Sequence, residues 1–405
     1  MKKVLLAMAC GLALAVAGAA GAATDEAPNG DVTIGLLTDM SSVYKDLSGP
    51  GSVIAAKMAI KDFGGRVLGK PIRLIVANHE DKPSLASSIA RKWIDRDHVD
   101  VIVGIVSSNT GLPVQRLASS KHVITINDGA GATELTEGQC TKYGIHYVYD
   151  THSLPAGTAT AIVKNGGKTW FFITANYVFG HSLQDNTTKV VESMGGKVLG
   201  SVDAPLGTTD FSSELLQAKA SGAQVIALAN AGLDTVNAIK QAHEFHITQS
   251  GQQLAGLLVF INNVKALGLK TTQGLEFTSA FYWDRTPASR KWSERFFKLH
   301  HAMPTMVQAG VYSSVLTYLK AVKKAGTDNS NEVRAELGKM TINDMFVHDG
   351  HIEPNGLMLH NMYLLQVKKP SQSKGPWDLL TVVATIPGSK AFIPLSESQC
   401  PLLKH

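Results

Sequence analysis

Cysteine is scarce in this chain: 405 residues carry three, at positions 10, 140 and 400. Charge is modest too, with 18% Asp, Glu, Lys and Arg and a formal net charge of +5. No Lys/Arg run and no basic stripe with interleaved aromatics occurs, so no nucleic-acid partner is expected. Past the first twenty or so residues, no segment has the roughly 18 unbroken apolar residues of a membrane-spanning helix. Catalytic and metal signatures are missing as well. The stretch "FGHSLQ" approaches G-x-S-x-G but has Gln184 where the tight nucleophile turn needs a second glycine. His243 and His246 in "HEFH" have no third ligand, and His300-His301 and His348/His351 are equally unsupported. "GGRVLGKP" fails as a P-loop, because Pro71 follows the lysine, and reads as a turn entering a strand. The expectation is a protein that is not an enzyme, with no catalytic residues, no metal and no cofactor.

What is present begins with a leader. Lys2 and Lys3 precede the apolar stretch Val4 to Ala17, and Ala20-Gly21-Ala22 supplies small residues for cleavage. This is the pattern of a secretory signal peptide over residues 1–22. Lipidation at Cys10 is not expected, since Ala7-Met8-Ala9 lacks the leucine such a site needs. Export leaves Cys140 and Cys400, and in an oxidising compartment an isolated pair reads as a bridge rather than a catalytic centre. That bridge would tie the tail to the first half of the chain; two free buried thiols are the other reading.

The length suggests two domains, and 44% hydrophobic content is ordinary for a globular chain. From Val32 onward, short apolar runs alternate with helical stretches. Strands are expected at Val32–Leu37, Ile72–Ala77, Val101–Val106 and Val123–Ile126, with helices at Ser52–Phe63, about Ser84–Asp95, and through Leu117. The rhythm restarts at Lys168, with strands at Trp170–Ile173, Lys197–Val202, Val225–Ala229, Leu257–Ile261 and Leu275–Ala280. Helices are expected between them at Ser182–Met194, Phe211–Ala220 and Leu233–Phe245. Repeated βα units of this size predict parallel sheets covered on both faces, two of the same kind. The tail differs: an apolar-striped helix over Val311–Ala325 precedes two antiparallel strands, Met362–Val367 and Leu379–Ile386.

Each half also ends a buried strand in small and polar residues: "DVIVGIVSSNTG" at 100–111 and "AQVIALANAGLDT" at 223–235. Serine and asparagine there can be ordinary N-caps. The open ends of parallel strands are also where α/β proteins hold ligands, and two such loops on facing lobes would share one cleft.

With "IGLLTDMS", "GKPIRLIVANHEDKP", "NDGAGATELT", "ANYVFGHSL" and "ANAGLDTVNAIKQA" in this order, the mature chain resembles the type I periplasmic solute-binding proteins. More narrowly it is similar to the leucine/isoleucine/valine-binding branch of ABC importers. "TSAFYWD", "MPTMVQAGVYS", "INDMF" and "MYLLQVKKP" resemble the subgroup assigned to aromatic acids. The resemblance implies an α/β fold of two doubly wound parallel-sheet lobes joined by a three-strand hinge, a Venus flytrap that closes on its ligand. The implied lobes are residues 23–150 with 284–360, and 151–283 with 361–405, crossing near Asp150, Trp283 and His360.

The same resemblance carries site residues. Ser107 or Ser108 matches the carboxylate-binding serine, and an anion suits a helix N-terminus. The backbone of Gly129 and Ala130 matches a loop that offers amides, with Thr133 placed late. Phe179, with Tyr177 nearby, matches a cleft aromatic that would stack on the ligand. Asn230 and Asp234 follow the second-lobe strand, Asp234 being alternatively a first-turn helix acid. Phe281 and Tyr282 stand at a hinge exit, and Met40 and Tyr44 in the loop after the first strand.

One departure matters. Amino-acid-binding relatives carry a glutamate near the end of the strand expected at Leu257–Ile261, where this chain reads Asn262-Asn263. A buried ammonium needs a charge partner, so the expectation moves to a small carboxylate, an aromatic or hydrophobic organic acid. It would be delivered to permease subunits of an ABC importer by a periplasmic monomer. Hydrophobic amino acids, with Asp234 as the ammonium partner, are the alternative; a binding module feeding a sensor and a secreted hydrolase are rivals of other classes.

Overall fold

The computed structural model describes residues 30–403, so the leader at 1–22 and Cys10 lie outside the described residues. The first sheet uses β1 (Val32–Thr38), β2 (Arg66–Val67), β3 (Lys70–Asn78), β4 (Val101–Val103), β5 (Ile124–Asn127) and β6 (Gly144–His146). Their spatial order is β2-β3-β1-β4-β5-β6, parallel except for the β2–β3 hairpin. All seven residues of β1 are buried, as a central strand covered on both faces requires. The connecting helices are α1 (Gly49–Phe63), α2 (Pro83–Asp95) and α3 (Ser108–Ser120). Proline in the first turn and Gly64 at φ 109° just past the end fix the limits of α1.

The second half runs α4 (Ser153–Lys164), β7 (Thr169–Ala175), α5 (Val178–Ser193), β8 (Lys197–Ala204), α6 (Ser212–Ala220), β9 (Val225–Ala229), α7 (Leu233–Glu244) and β10 (Gln253–Gly256). Its strands lie in the order β10-β9-β7-β8, all parallel. Along β7, Trp170 and Phe172 join one apolar cluster while Ile173 joins another on the opposite face. Period-two alternation with both faces apolar marks a sheet sandwiched between helices.

Two expectations fail beyond this point. The apolar run Leu257–Ile261 is not a strand: β10 ends at Gly256, and Leu257–Phe260 form a buried connection into α8 (Ile261–Leu267). Nor does the strand expected at Leu275–Ala280 join the parallel sheet. After α9 (Leu269–Thr272), β11 (Glu276–Ser279) pairs antiparallel with a later segment. The chain then forms α10 (Pro287–His300), α11 (Met306–Ala325), α12 (Ser330–Leu337), the short pair β12 (His351–Ile352) and β13 (Met358–Leu359), β14 (Met362–Val367) and β15 (Leu380–Ile386). The three-stranded sheet β11-β14-β15 is antiparallel throughout.

Helix α11 returns the chain to the first lobe, where it packs on α1. Fifteen of its 20 residues are buried, so it is a core helix rather than a surface one. A reciprocal cap between Thr305 and Gln308 starts it and left-handed Gly326 ends it, a pattern in which the cap alone contributes about 1 kcal/mol. The tail also comes back to the first lobe. Ser398 Oγ donates to Glu137, the Gln399 N–H does the same, and Cys140 and Cys400 form a disulfide with Cα atoms 5.6 Å apart. No described helix is long and apolar enough to cross a membrane.

Candidate functional site

The strand ends converge where the two lobes face each other. From the first lobe come Tyr44 and Leu47 after β1, Val106 and Ser108 after β4, and Gly129 and Gly131 after β5. From the second come Tyr177 and Phe179 at the start of α5, Ala231 after β9 and Leu258 after β10; Tyr149, between β6 and α4, completes the lining. These groups enclose about 10 Å³, barely the space for one water. The lobes are closed upon each other. The Tyr44 and Tyr177 hydroxyls are hydrogen-bonded, and the Leu233 N–H donates to the Val43 carbonyl at 3.1 Å. Gly232, at φ 64° and ψ −131°, allows this approach: a Cβ there would stand 2.4 Å from the Val43 oxygen.

The adjacent serines have different tasks. Ser107 is the N-cap of α3, yet its hydroxyl makes no cap bond; Oγ is buried without a partner among the described residues. Ser108 Oγ accepts the Ala132 N–H at 3.0 Å, which leaves its own proton free to donate. Ser108 opens a 13-residue helix, so the positive end of its dipole lies at the cavity wall.

The loop after β1 is shaped by Asp39, which accepts from the Ser41, Ser42 and Tyr44 N–H groups and from the Ser42 hydroxyl. Burial pushes its pKa up, but these bonds together outweigh that and hold it below the ordinary value. Two other acids are held high. Burial raises Asp234 to about 7, against the pull of the Gly207 N–H bonded to Oδ2 and with a further push from Asp81. Burial likewise raises Asp81 to about 6, with the facing Ser107 hydroxyl drawing it partly back and Asp39 adding repulsion. Neither Asp81 oxygen, nor Asp234 Oδ1, completes a hydrogen bond among the described residues. Asn230 accepts from Thr235 Oγ1 at 2.7 Å, while its Nδ2 is buried and unpaired.

Of the residues expected from sequence, Tyr44, Ser108, Gly129, Tyr177 and Phe179 line the cavity, while Ser107, Asn230 and Asp234 are not among its lining but carry buried, unpaired polar atoms. Other expected roles and positions differ. Gly129 and Ala130 cannot offer free amides, because both N–H groups donate to Ile105 O at 3.0 Å, and Ala130 packs with Leu112 and Leu135. Met40 directs its N–H to Asn78 Oδ1, outside the cavity. Asn262 belongs to the first turn of α8 and lines a separate groove of about 400 Å³ with Val43, Leu47 and Leu233. Phe281 stacks on Phe346 and meets Trp292 edge-on, and Tyr282 sits against Trp283; both rings are buried in packing outside the cavity. Sequence reading missed Tyr149, Leu47, Val106, Gly131, Ala231 and Leu258 as lining, and Asp81, whose carboxylate oxygens are buried and unpaired. For Tyr149 a signal existed in the aromatic-rich "HYVYD"; the small residues carried none.

Two α/β lobes closing strand-end to strand-end around a small, partly aromatic cavity define a solute-binding protein of the two-lobed kind. A family model described as periplasmic binding protein matches residues 31–375. The chain belongs to that family. A periplasmic binding protein of Burkholderia mallei shares 53% identity over 93% of this chain and 100% of its own, with a TM-score of 0.91. A branched chain amino acid ABC transporter periplasmic ligand-binding protein of Burkholderia xenovorans shares 41% over 92% and 100%, with a TM-score of 0.82. A solute binding protein of an ABC transporter from Rhodopseudomonas palustris, solved with 3,4-dihydroxy benzoic acid, shares 20% over 89% and 98% with a TM-score of 0.81, a likeness of fold. The chain spans 57% of the length of an amino acid binding protein of Pseudomonas aeruginosa that it also matches.

Proposed function

We propose that the chain captures a small carboxylate with an apolar or aromatic body between its lobes and presents it to permease subunits of an ABC importer. It would do so in the periplasm, as a monomer exported by the leader at residues 1–22. The observation that carries this reading is the cavity wall itself. A helix N-terminus with the donating hydroxyl of Ser108, backed by unpaired Ser107, stands opposite Tyr177 and Phe179, whose ring centroids are 5.8 Å apart. That combination suits an anionic head on a flat apolar body. The aromatic acid bound by the Rhodopseudomonas neighbour is of the same class.

The closed cavity is too small for such a molecule, so binding must first part Tyr44 from Tyr177 and then re-form the contacts around the ligand. The lobes would be residues 23–150 with 284–360, and 151–283 with 361–405, the tail end from Ser398 to Cys400 returning to the first. The crossings would lie near Asp150, Trp283 and His360. In support of this reading, His360 Nε2 lies 2.9 Å from the Val148 carbonyl, so residues 148 and 360 lie side by side.

A second reading, a hydrophobic amino acid, is favoured by Asp234 alone, whose Oδ1 is buried and unpaired in the second-lobe wall. The test is a thermal-shift screen on protein unfolded and refolded to strip bound ligand. A ligand at 100 times its Kd adds about 2.7 kcal/mol. Shifts with benzoate-type or short aliphatic acids, abolished by Ser107→Ala with Ser108→Ala, are expected. Silence from every carboxylate would refute the reading.

A further inference from the structure

Resting on the two-lobed closure proposed above, but not on which ligand is taken, we infer that the tail over residues 387–400 is a strap that limits how far the lobes part. Beside the three proposed crossings it makes a fourth connection, closed by the Cys140–Cys400 disulfide. The tail leaves β15 at Ile386 and forms α13 (Gly388–Ala391), which packs on α4. The Gly388 N–H donates to Asn361 Oδ1 at 3.3 Å, and a Cβ at Gly388 would stand 2.7 Å from the His360 carbonyl oxygen. Phe392, 2% exposed, lies against the His360 ring with centroids 5.3 Å apart. One end of the strap is therefore seated on α4 of the second lobe and on the 360–361 crossing. The other end is seated on the first lobe, where Glu137 accepts from Ser398 Oγ and the Gln399 N–H and Cys140 holds Cys400. Between the two seats, residues 394–397 are exposed.

The strap runs beside a place where the lobes touch. Ser182 Oγ on α5 donates to Glu134 Oε2 at 3.1 Å and lies 3.1 Å from Thr133 Oγ1. Ile393 and Glu397 of the tail line one groove of about 430 Å³ with Glu134 of the first lobe and Asp185 and Lys189 on α5. Opening parts α5 from Glu134, widens this groove and draws the two seats apart. The slack available is small. Pulled straight, the 3₁₀ turn Leu395–Glu397 lengthens by about 1.3 Å per residue, about 4 Å in all. Pro394 has a fixed φ and adds no give. Past that point the strap is taut, and wider opening must unseat Phe392 or break the bonds to Glu137. A tether that removes the widest open conformations lowers the entropy of the open state. It thereby raises the closed fraction, on which ligand affinity depends.

The test needs no ligand. A flexible insertion of about twelve residues, carrying a protease recognition sequence, is placed between Leu395 and Ser396 of the full chain with its disulfide intact. The parent, the uncut insertion and the cut insertion then carry a taut, a slack and a severed strap. Cutting is done on folded protein, so a folding defect cannot mimic its effect. Amide exchange is followed on protein refolded to strip bound solutes. The Leu233 N–H, bonded across the lobes to Val43, reports opening; the Gly129 N–H, bonded to Ile105, reports the first lobe alone. Slack and severed forms should both exchange Leu233 at least about threefold faster than the parent, with Gly129 unchanged. An unchanged Leu233 in both forms overturns the inference. So does faster exchange at Leu233 and Gly129 together, which would make the tail a brace for the whole fold. Faster exchange in the severed form alone overturns it as well, because a strap with this much slack restrains nothing. A failed carboxylate screen leaves these readouts as they are, and an unchanged Leu233 leaves the carboxylate reading standing.

Discussion

Replacing Gly232 with alanine isolates the contact between lobes from the ligand contacts. The added methyl would stand 2.4 Å from the Val43 carbonyl oxygen and 2.9 Å from the Tyr44 ring. Relief requires the 232–233 loop and the 43–44 loop to separate by about 1 Å, to reach ordinary van der Waals distance. That separation breaks the Leu233-to-Val43 hydrogen bond and the Tyr44–Tyr177 contact. At about 1 kcal/mol each, the closed state loses about 2 kcal/mol relative to the open one. Ligand affinity scales with the closed fraction, so binding should weaken about thirtyfold. The strain of alanine at φ 64° is a separate 1–2 kcal/mol or so; it burdens open and closed forms alike and shows only in thermal stability. Calorimetry gives the Kd and small-angle scattering gives the compactness of the ligand-free protein. A variant that binds within about threefold of the parent and scatters identically would refute the assignment of Gly232 as the closure contact.

Other outcomes follow from the same structure. Asp100, Asp128 and Asp234 are each raised by burial to about 7 from near 4. A raised carboxyl stabilises the folded state below its unfolded pKa and loses that advantage as pH climbs through the folded one. The melting temperature should therefore fall between about pH 4 and 7, and Asp128→Asn should flatten part of the fall; each group contributes at most about 4 kcal/mol. Cys140→Ser removes a cross-link between residues 260 apart, which by loop entropy amounts to about 5 kcal/mol. Reductant should lower the melting temperature of the parent and leave the variant where it is; an equal drop in both would count against the bridge. Tyr177→Phe removes the hydroxyl from the interlobe pair and should weaken ligand binding severalfold, with little change in melting temperature, by calorimetry and thermal scan.

Much of the architecture was legible because parallel strands buried on both faces read as unbroken apolar runs, as β1 and β9 do. The same rule misleads where a buried segment is not a strand. Leu257–Phe260 is apolar because all four residues are buried in apolar clusters, and nothing local distinguishes it from a longer β10. That error carried Asn262 to a strand end when it belongs to a helix. Helix α4 escaped notice because eight of its 12 residues are buried, two of them Pro155 and Gly157, so it shows neither a polar face nor an unbroken helical pattern. At the site, Ser108, Tyr44 and Tyr177 could be found because they follow strand ends. Asp81 could not: in "NHEDKP" it looks like a solvated turn acid, and only two left-handed residues turn it inward. The amides of Gly129 and Ala130 were unreadable for the opposite reason, since their bonds to Ile105 depend on how β4 and β5 lie side by side.

The Cys140–Cys400 bridge turns residues 140–400 into a covalent ring that passes through both lobes and all the loops of the second. A protease that cuts any loop between these residues opens the ring without releasing a fragment. Nicked molecules would migrate as one species until reduced. Damage to an exposed loop, such as the one around Thr208–Asp210, would then leave the binding surfaces tethered to each other.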